Sequence, residues 1–255
     1  MFYWVLKFVL VGPILRMFFR PDVQGLENIP SRGPAILASN HLSFSDSVFL
    51  ALMVSRRVTF LAKSEYFTGK GFKGLLSRWF FRGAGQVPID RASGTAAQDA
   101  LDTGTRILRE GKLLGIYPEG TRSPDGRLYR GKTGLARMSL ESGAVVVPLV
   151  MIDTEKIQPI GKKIPRIYKV RIRIGVPLDF SRYDGMSGDR FVERSMTDEV
   201  MYELMLLSGQ QYVDLYAAKV KVAMDDTGAS ADEVVRMLKP SPLEVAERVP
   251  ATLAG

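Results

Sequence analysis

The stretch "NHLSFSD", residues 40–46, carries His41, the single histidine of the chain, and Asp46 five positions later. A neutral imidazole can take a proton from an alcohol near neutral pH. It does so better when a carboxylate fixes its tautomer and stabilises the imidazolium. A five-residue offset, across a turn and into a helix, lets Asp46 return to one nitrogen of His41. The pair reads as a general base and its orienter. No Gly-x-Ser-x-Gly occurs in the chain, so the proton would come from a substrate hydroxyl and not from an enzyme serine. The same residues also fit an Asp that caps a helix and a histidine satisfied by main chain.

Two further clusters bear on this choice. In "YPEGTRS" (117–123), Glu119 and Arg122 can bind polyol hydroxyls and phosphate, and Gly120 permits close backbone approach. In "GQVPIDR" (85–91), Arg91 follows a short apolar stretch, and an arginine fork suits a phosphate monoester. Lys63 closes "RVTFLAK" and is a third cation just past an apolar run.

These residues need elements to hold them. "PAILAS" (34–39) reads as a buried strand that ends just before His41, and "SDSVFLALMV" as a helix capped by Ser45 or Asp46. Further strands are expected at 57–63, 112–118, 144–152 and 168–178. Helices are expected at 94–111 and 132–143, each ending in glycine. Strands alternating with helices imply an α/β fold, with a mainly parallel or mixed sheet covered by helices on both faces. Ligands gather at the carboxyl ends of such strands. A long amphipathic helix is expected over 197–221, and a loosely held tail over 222–255, which leaves one domain over 21–221.

The composition bounds the partners. A net charge of +8 favours acidic ones, and 46% hydrophobic residues can build a sizeable core. The absence of cysteine excludes disulfides, thiol catalysis and thiolate metal sites. With one histidine and scattered carboxylates, no metal centre is expected. Residues 1–20, "MFYWVLKFVLVGPILRMFFR", are apolar and aromatic but carry Lys7, Pro13 and Arg16. They fall short of a spanning helix and lack a cleavage site. The expectation is an anchor in the membrane interface, with Lys7 and Arg16 snorkelling; an apolar helix docked on the protein's own core is the other possibility. "GKGFKGLLSRWFFRG" (69–83) has the pattern of a basic amphipathic helix at an anionic surface.

"GRLYRGKT" (126–133) matches the Gly-x4-Gly-Lys-Thr pattern of nucleotide hydrolases. Such a loop must follow a strand directly, whereas "TRSPD" is a turn, so nucleotide hydrolysis is not expected. A non-catalytic basic membrane-binding module would account for the charge but not for His41 and Asp46.

Taken together, "NHLSFSD" is similar to the His-x4-Asp motif of glycerolipid acyltransferases. "GQVPIDR", "YPEGTRS" and "VVVPLVM" (145–151) resemble their second, third and fourth blocks, in the same order, over roughly residues 20 to 180. The joint match resembles the 1-acylglycerol-3-phosphate O-acyltransferase family, with a look of its actinobacterial members. Pro88 stands where a bulky apolar residue is frequent. The resemblance implies a glycerolipid-acyltransferase-like fold and transfer of an acyl group to the sn-2 hydroxyl of a lysophosphatidate. It implies His41 as base, Asp46 as orienter, and Arg91, Lys63 and Arg122 at the acceptor phosphate. Glu119, Gly120 and Thr121 would shape the glycerol site, and the fourth block would support an acyl pocket. The donor implied is acyl-CoA or acyl carrier protein, with no cofactor and no metal. Other acceptors would be another lysophospholipid, glycerol 3-phosphate or a glycolipid. The implied setting is a peripheral or monotopic protein on the cytoplasmic face of the cell membrane, with an anionic membrane surface and not nucleic acid as partner.

Overall fold

The computed structural model describes residues 2–69, 71, 74–75, 78–79, 85–89, 95–159 and 164–238. Seven strands form one sheet: β1 (Asp22–Gln24), β2 (Ala35–Ser39), β3 (Val58–Lys63), β4 (Gln86–Ile89), β5 (Leu113–Ile116), β7 (Val145–Ile152) and β8 (Arg171–Ile174). Their order is β1-β8-β7-β2-β5-β3-β4. Every pairing is parallel except β7 with β8, so the sheet is mixed and mainly parallel, as the alternation of elements implies. A second, two-stranded sheet pairs β6 (Leu128–Tyr129) with β9 (Tyr212–Val213).

β2 lies between β5 and β7 and is buried throughout. Its continuous apolar run suits a strand covered on both faces. Ala35 and Leu37 enter the core with α2 (Val11–Phe19) and α3 (Asp46–Met53). Ile36 and Ala38 point to the other face, under α5 (Ala96–Arg109), α6 (Gly134–Ser142) and α8 (Arg190–Ser208). The remaining helices are α1 (Phe2–Val5), α4 (Glu65–Thr68), α7 (Thr154–Ile157), α9 (Ala217–Thr227) and α10 (Ala231–Leu238).

The carboxyl-terminal third differs from the sequence expectation. The periodic stretch 197–221 is not one helix. α8 begins earlier, at Arg190, and stops at Ser208, because Gly209 takes φ +67° and its N–H closes on Met205 O. The chain then lays down β9 before α9 starts. Residues 222–238 are not a loose tail: Val234 and Val235 of α10 pack with Val220 of α9, Val213 and Tyr129. Residues 239–255 lie outside the described residues.

The amino-terminal segment continues from α1 through a π-helical stretch, Leu6–Leu10, into α2. Tyr3, Lys7, Gly12 and Phe19 are buried against the body, whereas Trp4, Phe8, Val9, Ile14, Met17 and Phe18 are exposed. Lys7 does not snorkel. It is 2% exposed, and its ammonium donates to the carbonyls of Ala51 and Val54 at the carboxyl end of α3. Those carbonyls lack partners within their helix and sit at its negative pole, so a cation is held there. Arg16 is exposed. The segment is thus docked on one face and apolar to solvent on the other. Among the described residues no helix is long and apolar enough to cross a membrane.

Candidate active site

β2 and β5 are parallel neighbours, with Ala38 opposite Ile116. Their carboxyl ends therefore deliver residues 40–46 and 117–123 side by side. His41 Nδ1 lies 2.9 Å from Asp46 Oδ2. The same oxygen accepts the main-chain N–H of Leu42 and of Ser43, both at 2.8 Å. Asp46 is fully buried and His41 is 18% exposed. The expected helix cap is absent: the Ser45 side chain makes no capping bond, and the Asp46 carboxylate turns back to the histidine loop. With Nδ1 engaged by a carboxylate, the tautomer that leaves Nε2 basic is favoured.

The imidazole stacks on Tyr117, with ring centroids 3.8 Å apart and planes 13° from parallel. The Tyr117 hydroxyl is 2.7 Å from Ser47 Oγ, and burial holds its phenol well above the ordinary range, so it stays neutral. Asn40 locks the loop from behind: its side chain donates to Met151 O at 3.0 Å and accepts Met151 N at 2.8 Å. The fourth block thus steadies the histidine loop. None of residues 145–151 lines the cavity itself.

The 117–123 loop closes around His41. Ser123 N donates to His41 O at 2.7 Å, and His41 N donates to Glu119 Oε1 at 3.3 Å. Glu119 Oε2 accepts Tyr129 N at 2.9 Å. Glu119 is 1% exposed, and burial, against the pull of those two amides, raises its carboxyl to about 8. Both oxygens face main chain, so the expected contact of Glu119 with glycerol hydroxyls does not fit this geometry. Gly120 takes φ +74°, which keeps the loop tight enough for its N–H to reach Tyr117 O at 2.9 Å. Gly120, Thr121 and Arg122 line a cavity of about 440 Å³ together with His41. Its other walls are largely apolar, with Val48, Leu52, Phe60 and Leu61 from the body and Leu6 and Val11 from the amino-terminal segment.

Lys63 ends β3, paired with Ile89. Arg91, and the Lys63 side chain, lie outside the described residues, as does most of 69–83; Leu75 and Trp79 of that stretch are exposed. The Gly-x4-Gly-Lys-Thr segment cannot cradle phosphates. Most of its amides are spent, among them Leu128 N on Gln211 O, Arg130 N on Val213 O and Lys132 N on Pro118 O. Tyr117, Asn40 and Lys221 escaped the sequence analysis. Tyr117 heads the third block, and only the β2–β5 register reveals its stacking.

An acyltransferase family model matches residues 20–152, which hold His41, Asp46 and the whole of 117–123. The chain is 33% identical over 169 residues to the chloroplastic 1-acyl-sn-glycerol-3-phosphate acyltransferase LPAT1 of Arabidopsis thaliana, covering 66% of this chain and 46% of that protein. It is 28% identical over 158 residues to the 1-acyl-sn-glycerol-3-phosphate acyltransferase of Bacillus subtilis, covering 61% of this chain and 72% of that protein. The match spans about half the length of the plant relatives. The crystal structure of the 1-acyl-sn-glycerophosphate acyltransferase of Thermotoga maritima superposes with a TM-score of 0.56 at 24% identity, over 79% of this chain and 85% of that one, a likeness of fold. The family model covers more than half of the chain, with the His41–Asp46 pair and the 117–123 loop inside it, and the chain therefore belongs to the acyltransferase family.

Proposed function

We propose that this chain transfers a fatty acyl group from acyl-CoA or acyl carrier protein to the sn-2 hydroxyl of 1-acylglycerol 3-phosphate, giving phosphatidate for phospholipid synthesis. The observation that carries this is the 2.9 Å His41–Asp46 pair, set between an apolar cavity and the Arg122 side of the 117–123 loop. His41 Nε2 takes the hydroxyl proton as the alkoxide oxygen attacks the thioester carbonyl carbon. The carbon–sulfur bond then breaks, and the thiolate leaves with the proton held by the imidazolium. Asp46 fixes the tautomer and balances the transient charge. Arg122 holds the acceptor phosphate, with Arg91 and Lys63 proposed to join it. Gly120 and Thr121 border the glycerol, and Glu119 positions the His41 main chain. The apolar walls take acyl chain.

The exposed aromatic face of residues 2–19 and the exposed Leu75 and Trp79 suit docking on an anionic membrane, on the cytoplasmic side where the thioester donors are made. That would bring the cavity to its lipid substrates. The test is the product formed from palmitoyl-CoA and 1-acylglycerol 3-phosphate by the purified chain. Phosphatidate is expected. CoA release without phosphatidate would replace this acceptor with another or with water.

A further inference from the structure

Lys221 lies beyond residues 20–152, the span that the family model matches. It stands on α9, beside the face on which Ala217 and Val220 are fully buried against Tyr129 and Val213. From there its ammonium donates to Thr121 Oγ1 at 3.0 Å. Lys132 runs over Gly120: a Cβ built on that glycine would lie 3.1 Å from Lys132 Cε and 3.2 Å from its Nζ. Arg122 follows in the same loop. Cations from three parts of the chain thus converge on residues 120–122, at the wall shared with His41.

None of the three has a carboxylate within ion-pair distance among the described residues. Three arginines nearby are paired instead: Arg127 with Asp125 and Asp232, Arg130 with Asp214, Arg194 with Asp198. Burial and the charge of Arg122 hold the Lys221 ammonium below the usual lysine range, only partly offset by Glu119 and Asp225. Lys221 and Arg122 are half-buried, and like charges so placed without a counter-ion are costly, a cost that an arriving anion removes.

Building on the acceptor proposed above, we infer that Lys221 is a phosphate-binding residue of the acceptor site, which acts with Arg122 on the phosphate monoester of the lysolipid. The phosphate of the acceptor is joined to its reacting hydroxyl through only two carbons and an ester oxygen. It must therefore lie close to His41, where residues 119–123 are bonded to the His41 main chain at both ends. The phosphates of CoA lie at the far end of a long arm from the thioester. α9 thereby adds, from outside the matched family span, a cation to the Arg122 side of the loop.

The experiment is steady-state transfer by the full chain as wild type, Lys221→Met and Lys221→Arg, with acyl-CoA and with a phosphate-free acyl-N-acetylcysteamine donor. The Met variant is expected to raise the acceptor KM about tenfold with both donors, while kcat falls less than about twofold. It is also expected to weaken inhibition by inorganic phosphate. Lys221→Arg should restore most of the acceptor affinity. Lys221→Gln, which can still donate to Thr121, carries the same expectation as Met if the Met variant does not melt cooperatively. An unchanged acceptor KM, or a defect confined to acyl-CoA, would overturn the assignment, the latter by giving the cation to the donor. A wild type that forms no phosphatidate would instead take down the acceptor reading and this assignment together.

Discussion

Asp46 Oδ2 receives three donors at once, the His41 ring and the amides of Leu42 and Ser43. One atom therefore both orients the imidazole and shapes the loop that carries it. Asp46→Asn is expected to lower kcat by about 10²-fold or more, since an amide cannot balance the imidazolium, with acceptor KM moved far less; stopped-time product assays check this. Glu119 gives a pH prediction. Its folded-state carboxyl is raised from the usual 4.5 to about 8. Its contribution to stability is then fully present below about pH 4.5 and fades as pH rises towards 8, because the unfolded chain releases its proton first. The melting temperature of Glu119→Gln should therefore gain on wild type across that window, and a constant difference would refute the raised carboxyl. The His41–Asp46 pair was legible because sequence spacing alone can close a five-residue turn. Lys221 was not, since it reaches Thr121 across 100 positions. Nor was the burial of Glu119, which depends on Tyr129 folding over it.

The strands around the site were legible from short apolar runs, and their carboxyl ends do hold the polar blocks. β1 was missed because three residues, two half-buried and one exposed, make no pattern. The antiparallel entry of β8 has no signature in its own residues. The break at Gly209 was overridden by apolar periodicity that resumes beyond it. Packing between strands also sets a sharp constraint at Gly115, in the middle of the sheet. A Cβ there would lie 2.3 Å from the Phe60 ring, a rigid body with no free end to move aside. Gly115→Ala should cost about 1–3 kcal/mol by overpacking, read as a lower urea midpoint. Gly115 and Phe60 both line the cavity, so a shift of acyl-chain preference should accompany the loss.

For the molecule as a whole, the amino-terminal segment docks on the protein's own body, one of the two readings the sequence posed, and keeps an apolar outer face. One face is fastened to α3 through Tyr3 and Lys7, and the other presents Trp4, Phe8 and Phe18 to solvent. On a chain of net charge +8, that face should bind vesicles containing anionic lipid. Replacing Trp4 and Phe8 with Ser should weaken sedimentation with such vesicles at least about tenfold, and salt alone should remove only part of the binding. Unchanged sedimentation would move the membrane contact elsewhere. The chemistry proposed for His41 lies on the other side of this docked segment, where Leu6 and Val11 wall the cavity. The most direct test is phosphatidate formation from palmitoyl-CoA and 1-acylglycerol 3-phosphate by wild type and by an equally folded His41→Ala enzyme. Phosphatidate is expected from the wild type, with a rate lower by about 10²–10⁴-fold without the imidazole; equal rates from the two would remove His41 from the chemistry.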